Sequence, residues 1–175
     1  ILSFLTLLGP MSIDMYLPAF PEIAVEFGVT TSVVSSSLPA YFLGLVIGQL
    51  VYGPISDRFG RKPPLYFGLT LFVIASVLCI FTTQINQLLM TRVSQALGGC
   101  VGMAMVRTAI RDRLTPKQSA RALSSMMLMM GLAPILAPIL GGWLLINWGW
   151  QSIFIFLTCF GVINIVLVHF YFEET

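Results

Sequence analysis

The chain has 175 residues, 57% of them hydrophobic and only 9% charged, with a mean hydropathy of +0.93. Soluble domains are roughly half apolar and one quarter charged, so water is excluded as the solvent for most of this surface. A net charge of +2, with most Lys and Arg confined to two short stretches, also argues against a nucleic-acid partner.

A membrane-crossing helix takes about 20 mostly apolar residues, so a chain of this length holds roughly six with short connections. The expected fold class is therefore an all-α membrane protein of six transmembrane helices, at about 1–18, 33–52, 64–83, 88–110, 122–146 and 151–171. Ile1 opens directly in an apolar run, without Met, a basic segment or a small-residue cleavage site. Residues 1–18 therefore read as a span and not a signal peptide, and further residues are expected upstream.

Pro18 and Pro21 bracket an expected turn or kink after the first span, because proline lacks the backbone donor and restricts its predecessor. Glu22 and Glu26 lie on an amphipathic stretch ending at Gly28, read as an outer connection. Thr30, Thr31 and Ser32 supply hydroxyls to cap the second span.

A charged loop, Gly53 to Lys62, follows, and Pro63-Pro64 suits the first turn of span three. The uncharged link at 84–87 is short, so spans three and four should be antiparallel neighbours. A second charged loop, from Arg111 to Lys117, separates spans four and five. Asn147-Trp148-Gly149 makes an uncharged turn into span six.

Lysine and arginine concentrate in the loops after spans two and four, which places those loops and both termini on the cytoplasmic side. Trp143, Trp148 and Trp150 gather near the opposite link, as expected of interfacial anchors. Cys79, Cys100 and Cys159 each sit in an apolar run and show no disulfide or metal spacing, so neither a metal nor a cofactor is expected.

An ionisable group inside the bilayer costs roughly 2.5–3.5 kcal/mol on insertion scales, which makes it a functional candidate by default. Asp14 and Arg92 are two such groups. Asp14 is a candidate for reversible proton binding; the alternative places it at the outer interface, tolerating the Pro18 kink. Arg92 stays protonated and needs a carboxylate, helix carbonyls or water; the alternative is snorkelling to the interface. Gln95, three residues on, shares its helical face and suggests a polar stripe.

Positive-inside anchoring accounts for Arg58, Arg61 and Lys62, but topology alone does not require Asp57. In span five, small residues around Ala137, Gly141 and Gly142 suit close helix contact, while Pro134 and Pro138 free carbonyls and bend or soften the helix. His169 reads as an inner-interface residue. Met126, Met127, Met129 and Met130 read as lipid or helix packing.

Together these stretches resemble the first half of a major facilitator superfamily transporter, and within it the bicyclomycin and chloramphenicol resistance type of drug:proton antiporter. Gly53, Asp57, Arg58, Gly60, Arg61 and Lys62 keep every fixed position of the superfamily's G-x-x-x-D-R-x-G-R-[KR] signature between helices two and three. The resemblance implies a conformational gate in which Asp57 links to an arginine at the inner end of helix four, Arg111 first and Arg107 second, and to a C-terminal half.

Arg92-x-x-Gln95 is similar to the proton-coupling motif R-x-x-Q-G, with Ala96 for the usual glycine. Ala137-Pro138-x-x-Gly141-Gly142 resembles the antiporter motif G-P-x-x-G-G, with Ala137 for the first glycine. Asp14 with Met15-Tyr16-Leu17-Pro18 looks like the acidic helix-one motif of drug exporters. The resemblance implies a bacterial inner-membrane protein that exports small amphipathic compounds in exchange for protons, using alternating access between this six-helix half and a C-terminal six-helix half.

Two other readings remain open from sequence: a proton-coupled nutrient or metabolite symporter of the same fold, and a non-transporting truncated helical module. An intramembrane serine hydrolase lacks support, because His169 is the lone histidine and there is no G-x-S-x-G run.

Overall fold

The computed structural model describes residues 2–113 and 115–171, with side chains described for 3–106, 110 and 115–170. Eight α-helices follow one another among these residues: α1 Leu2–Asp14, α2 Phe20–Phe27, α3 Thr31–Ser35, α4 Ser37–Phe59, α5 Lys62–Ile80, α6 Ile85–Arg113, α7 Pro116–Trp148 and α8 Gln151–Tyr171. A 3-10 turn at Leu17–Ala19 joins α1 to α2.

Helix α1 ends at Asp14, short of Pro18. The ladder tightens there: Tyr16 N bonds Ile13 O at 3.3 Å and Ala19 N bonds Tyr16 O at 3.0 Å. Pro18 cannot donate and disfavours helical geometry at Leu17, so the chain turns before resuming as α2. Thr30 caps α3 through its side chain, which accepts from Val33 N.

The stretch from Gly53 to Lys62 differs from the expected loop. Helix α4 carries Gly53 through Phe59, leaving only Gly60 and Arg61 between it and α5. Gly60 adopts φ 82, a backbone region that costs other residues a steric penalty, so the turn closes in two residues. Arg58 lies in the last turn of α4, where a cation opposes the helix's partial negative charge.

Helix α7 likewise begins at Pro116, well before the expected span. Thr115 and Gln118 form a reciprocal capping box, with proline in the first turn. Pro134 and Pro138 lie inside this 33-residue helix, which continues through both.

Among the described residues, four helical stretches are long and apolar enough to cross a membrane: Thr31–Phe59, Lys62–Ile80, Pro116–Trp148 and Gln151–Phe170. Helix α1 has 13 residues, and α6, with 29, interrupts its apolar run with Arg92, Ser94 and Gln95. The molecule is therefore an all-helical, multi-pass membrane protein.

Helix α6 sits at the centre, packed against α4, α5 and α1, while α5 packs on α8 and α1 on α7. Small residues permit these approaches. A Cβ on Gly44 would strike the Val93 carbonyl and lie 2.8 Å from the Ala96 Cβ, and one on Gly98 would lie 2.5 Å from Phe72 N and 2.6 Å from Gly68 O. Close backbone contact replaces hydrophobic exclusion as the packing force when the surroundings are as apolar as the core.

Candidate functional site

Arg92 occupies the middle of this packing and is fully buried. Its Nη1 donates to Gln95 Oε1 at 2.6 Å, and its Nη2 donates to the Ser12 carbonyl of α1 at 3.0 Å. Gln95 passes the chain on, donating from Nε2 to Ser76 Oγ of α5 at 2.8 Å, and Ser76 donates to Phe72 O. Three rings surround the guanidinium: Tyr41 at 4.3 Å, Tyr16 at 4.5 Å and Phe154 at 6.0 Å to their centroids. Helices α1, α4 and α8 thus converge on one side chain of α6, and α5 is reached through Gln95.

No carboxylate of a described residue pairs with Arg92, and magnitudes explain how the cation is nevertheless held. Hydrogen bonds to a charged group contribute about 1.5–3 kcal/mol each, and a desolvated cation–π contact about 2 kcal/mol. Two such bonds and the aromatic cage offset an insertion cost of roughly 2.5–3.5 kcal/mol. The Nε atom alone is buried without a partner. Arg92 is accordingly a fixed positive charge satisfied by neutral groups, and it does not snorkel.

Asp14 is the last residue of α1 and is partly exposed. It lies two residues beyond the carbonyl that Arg92 holds, and its own side chain forms no ion pair with Arg92. The following residues are anchored: Tyr16 is buried, its ring packs 5.7 Å from Phe154, and its hydroxyl lies 3.0 Å from Ser37 Oγ.

The face of α7 turned to α1 consists of Ala133, Ala137, Gly141 and Leu144, all buried. Gly141 meets the main chain directly beside Asp14: a Cβ there would lie 2.8 Å from Met15 C and Cα, and closer still to the Met15 oxygen. Gly142, the next residue, faces open space. Below this contact, Leu7, Met11, Met129, Leu132 and Leu136 line an apolar groove of about 330 Å³ between the two helices.

At the turn between α4 and α5, Ser56, Asp57, Gly60 and Arg61 surround a polar hollow, and Asp57 is exposed without a hydrogen bond to any described residue. Arg58 lies 5.6 Å from the ring of its neighbour Phe59. The side chains of Arg107 and Arg111, the expected partners of Asp57, lie outside the described residues.

At the opposite end, Trp150 corrects the expected aromatic belt. Trp143 and Trp148 are exposed and pack edge to face at 5.0 Å, but Trp150 is fully buried. Its indole Nε1 donates to Glu26 Oε2, and its backbone N donates to Glu22 Oε1 at 3.2 Å. Two carboxylates of α2 therefore sit at the start of α8, where they complement the helix's positive end. His169, at the other end of α8, is exposed, with Nδ1 3.0 Å from Tyr66 Oη.

Of the residues singled out from sequence, Arg92 and Gln95 are directly bonded, and Gly141 meets the main chain of Met15, the residue after Asp14. Ser12, Tyr16, Tyr41, Ser76 and Phe154 were not anticipated. Each is distant in sequence from Arg92, and a serine or aromatic residue in an apolar helix carries no local signal of such a role.

A buried polar hub thus joins α1, α5 and α6. The chain matches the model of the Major Facilitator Superfamily over residues 2–175 and belongs to that superfamily. It is similar to the uncharacterised MFS-type transporter YdgK of Bacillus subtilis, 37% identical over 100% of this chain and 44% of that protein. It is also 31% identical to the bicyclomycin resistance protein homolog of Haemophilus influenzae, over 99% of this chain and 44% of the relative. Multidrug resistance protein D of Escherichia coli is 35% identical over 92% of this chain and 41% of its own length. The chain thus spans less than half the length of these curated relatives.

Proposed function

We propose that this chain is the N-terminal six-helix half of a twelve-helix exporter that expels small amphipathic, drug-like compounds in exchange for protons, by alternating access. It would lie in a bacterial inner membrane with both ends cytoplasmic, and its six spans would be α1, α3 with α4, α5, α6, α7 and α8. Relatives named for multidrug and bicyclomycin resistance, which cover nearly the whole chain, favour export as the direction.

The observation that carries the coupling is the bond from Arg92 Nη2 to Ser12 O. It ties the centre of α6 to α1 two residues before Asp14, the one acid of that helix. Asp14 takes up a proton from the outer side and releases it toward the cytoplasm. Displacement of its segment is felt at once by Arg92, Gln95 and Ser76, and hence by α5 and α6. Substrate binds near the midplane between this half and the C-terminal half, as midplane sites in such transporters form between repeats. Asp57, with Arg111 or Arg107 and the basic residues Arg58, Arg61 and Lys62, holds the outward-facing state.

The test is Asp14→Asn in the complete transporter, assayed in everted vesicles under an imposed proton gradient. Gradient-driven drug transport should be abolished, and undiminished transport would remove Asp14 from the mechanism. Addition of substrate should release protons from the vesicle lumen as drug enters; movement of both in the same direction would instead indicate a symporter.

A further inference from the structure

We propose that Gly141 is a positioning residue for Asp14, setting where the proton-carrying carboxylate stands by letting the α7 backbone bear directly on the Met15 carbonyl. This rests on the reading of Asp14 as the proton carrier and adds a residue-level role within α7.

Three observations converge. The clash that a Cβ at Gly141 would make is with main-chain atoms of Met15, so no side-chain rotation can relieve it. Met15 lies between two anchored points: Ser12, whose carbonyl accepts from Arg92, and Tyr16, held by Phe154 and Ser37. A push on Met15 is therefore confined to residues 13–15, and its Cα, which would lie 2.8 Å from the added Cβ, shares a rigid peptide plane with Asp14 and carries the push there. Finally, α1 ends at Asp14, and only the bonds from Met15 N to Met11 O at 3.2 Å and from Tyr16 N to Ile13 O at 3.3 Å tie the next two residues back to it before the chain turns.

Few other charges surround this segment. Of the charged and titratable groups on the neighbouring elements, Arg92 of α6, Tyr16, Tyr41 of α4, and Glu22 and Glu26 of α2 lie toward this segment, while Asp57 and Arg58 of α4, Lys117 and Arg121 of α7 and His169 of α8 lie toward the far ends of their helices. Helices α7 and α8 contribute no Asp, Glu, Lys or Arg between residues 122 and 171. The acid's setting thus depends mainly on backbone placement and on Arg92.

The adjacent glycines provide an internal contrast, because a Cβ on Gly142 meets nothing within 4 Å. In the complete transporter, Gly141→Ala, Gly142→Ala and Asp14→Asn are compared in everted vesicles by the pH dependence of efflux and by substrate affinity. Gly141→Ala is expected to move the pH midpoint by about half a unit or more with affinity held within about twofold, while Gly142→Ala keeps the parental midpoint. An unmoved midpoint in Gly141→Ala, or an equal shift in Gly142→Ala, overturns the proposal.

If Gly141→Ala does not accumulate, Ala137→Gly decides: it removes a buried Cβ from the same seam, lets α7 settle on α1, and should also move the midpoint. An unmoved midpoint there refutes the positioning role. Persistence of proton-driven efflux in Asp14→Asn defeats the underlying reading as well; its loss, with unmoved midpoints in the α7 variants, defeats this inference alone.

Discussion

The Arg92 centre and the turn around Asp57 are built on opposite principles. Arg92 is a fully buried cation whose needs are met by the Ser12 carbonyl of α1, the Gln95 amide of its own helix and the rings of Tyr16, Tyr41 and Phe154. Asp57 is an exposed acid among basic neighbours and takes no hydrogen bond from a described residue. Yet the signature around Asp57 is complete, whereas the motif around Arg92 is altered at Ala96. Motif completeness therefore does not measure how strongly a residue is held within this half. The buried centre is held by packing between helices, whereas the turn lies exposed at their end.

That contrast breaks most sharply at Arg92. Arg92→Ala removes both bonds and leaves a void inside the aromatic cage, at an expected cost of about 3 kcal/mol or more. Thermal unfolding in detergent should show a large loss of stability, and Arg92→Lys should not rescue it, because a point-like ammonium cannot reproduce the planar two-armed contact. A parental melting curve for Arg92→Ala would show that the hub is dispensable to the fold.

Gln95→Leu is the next largest change. It leaves Arg92 Nη1 and Ser76 Oγ without their partner, and about 1–3 kcal/mol should be lost, read from the same melting curves. Asp57→Asn tests the other side of the comparison: stability should stay within about 0.5 kcal/mol, as for most exposed positions, while efflux by the complete transporter falls. A marked drop in stability would mean that Asp57 is held inside this half after all.

The smallest effect belongs to Tyr41→Phe. The Tyr41 hydroxyl is buried without a partner, so its removal keeps the ring over Arg92 and should change stability by no more than about 0.5 kcal/mol. A larger loss would indicate an additional bond to that hydroxyl.

Much of the architecture was legible along the chain because its signals are local. Apolar runs locate the long helices, and the prolines at 18 and 21 mark the break after α1. Even the early start of α7 had a visible cause in the Thr115–Gln118 capping box, though the charges around it suggested a loop. The Gly53–Lys62 stretch misled for the same reason. A helix can continue past the apolar run into water, since its hydrogen bonds close within the segment, and only Gly60 is needed to end it.

The sequence alone determined that the protein is helical and membrane-embedded, and it singled out Asp14, Arg92 and Gln95 as polar residues in apolar helices and Gly141 with Gly142 as small residues suited to close helix contact. It placed the first two in separate spans without indicating what either would touch. Tertiary structure decided that Arg92 is satisfied without an acid, that Trp150 is buried against Glu26 and not anchored in lipid, and that Gly141, not Gly142, bears on the chain beside Asp14. Those outcomes depend on which helix faces approach within a few ångströms of one another, a property of packed pairs that no single helix's sequence contains.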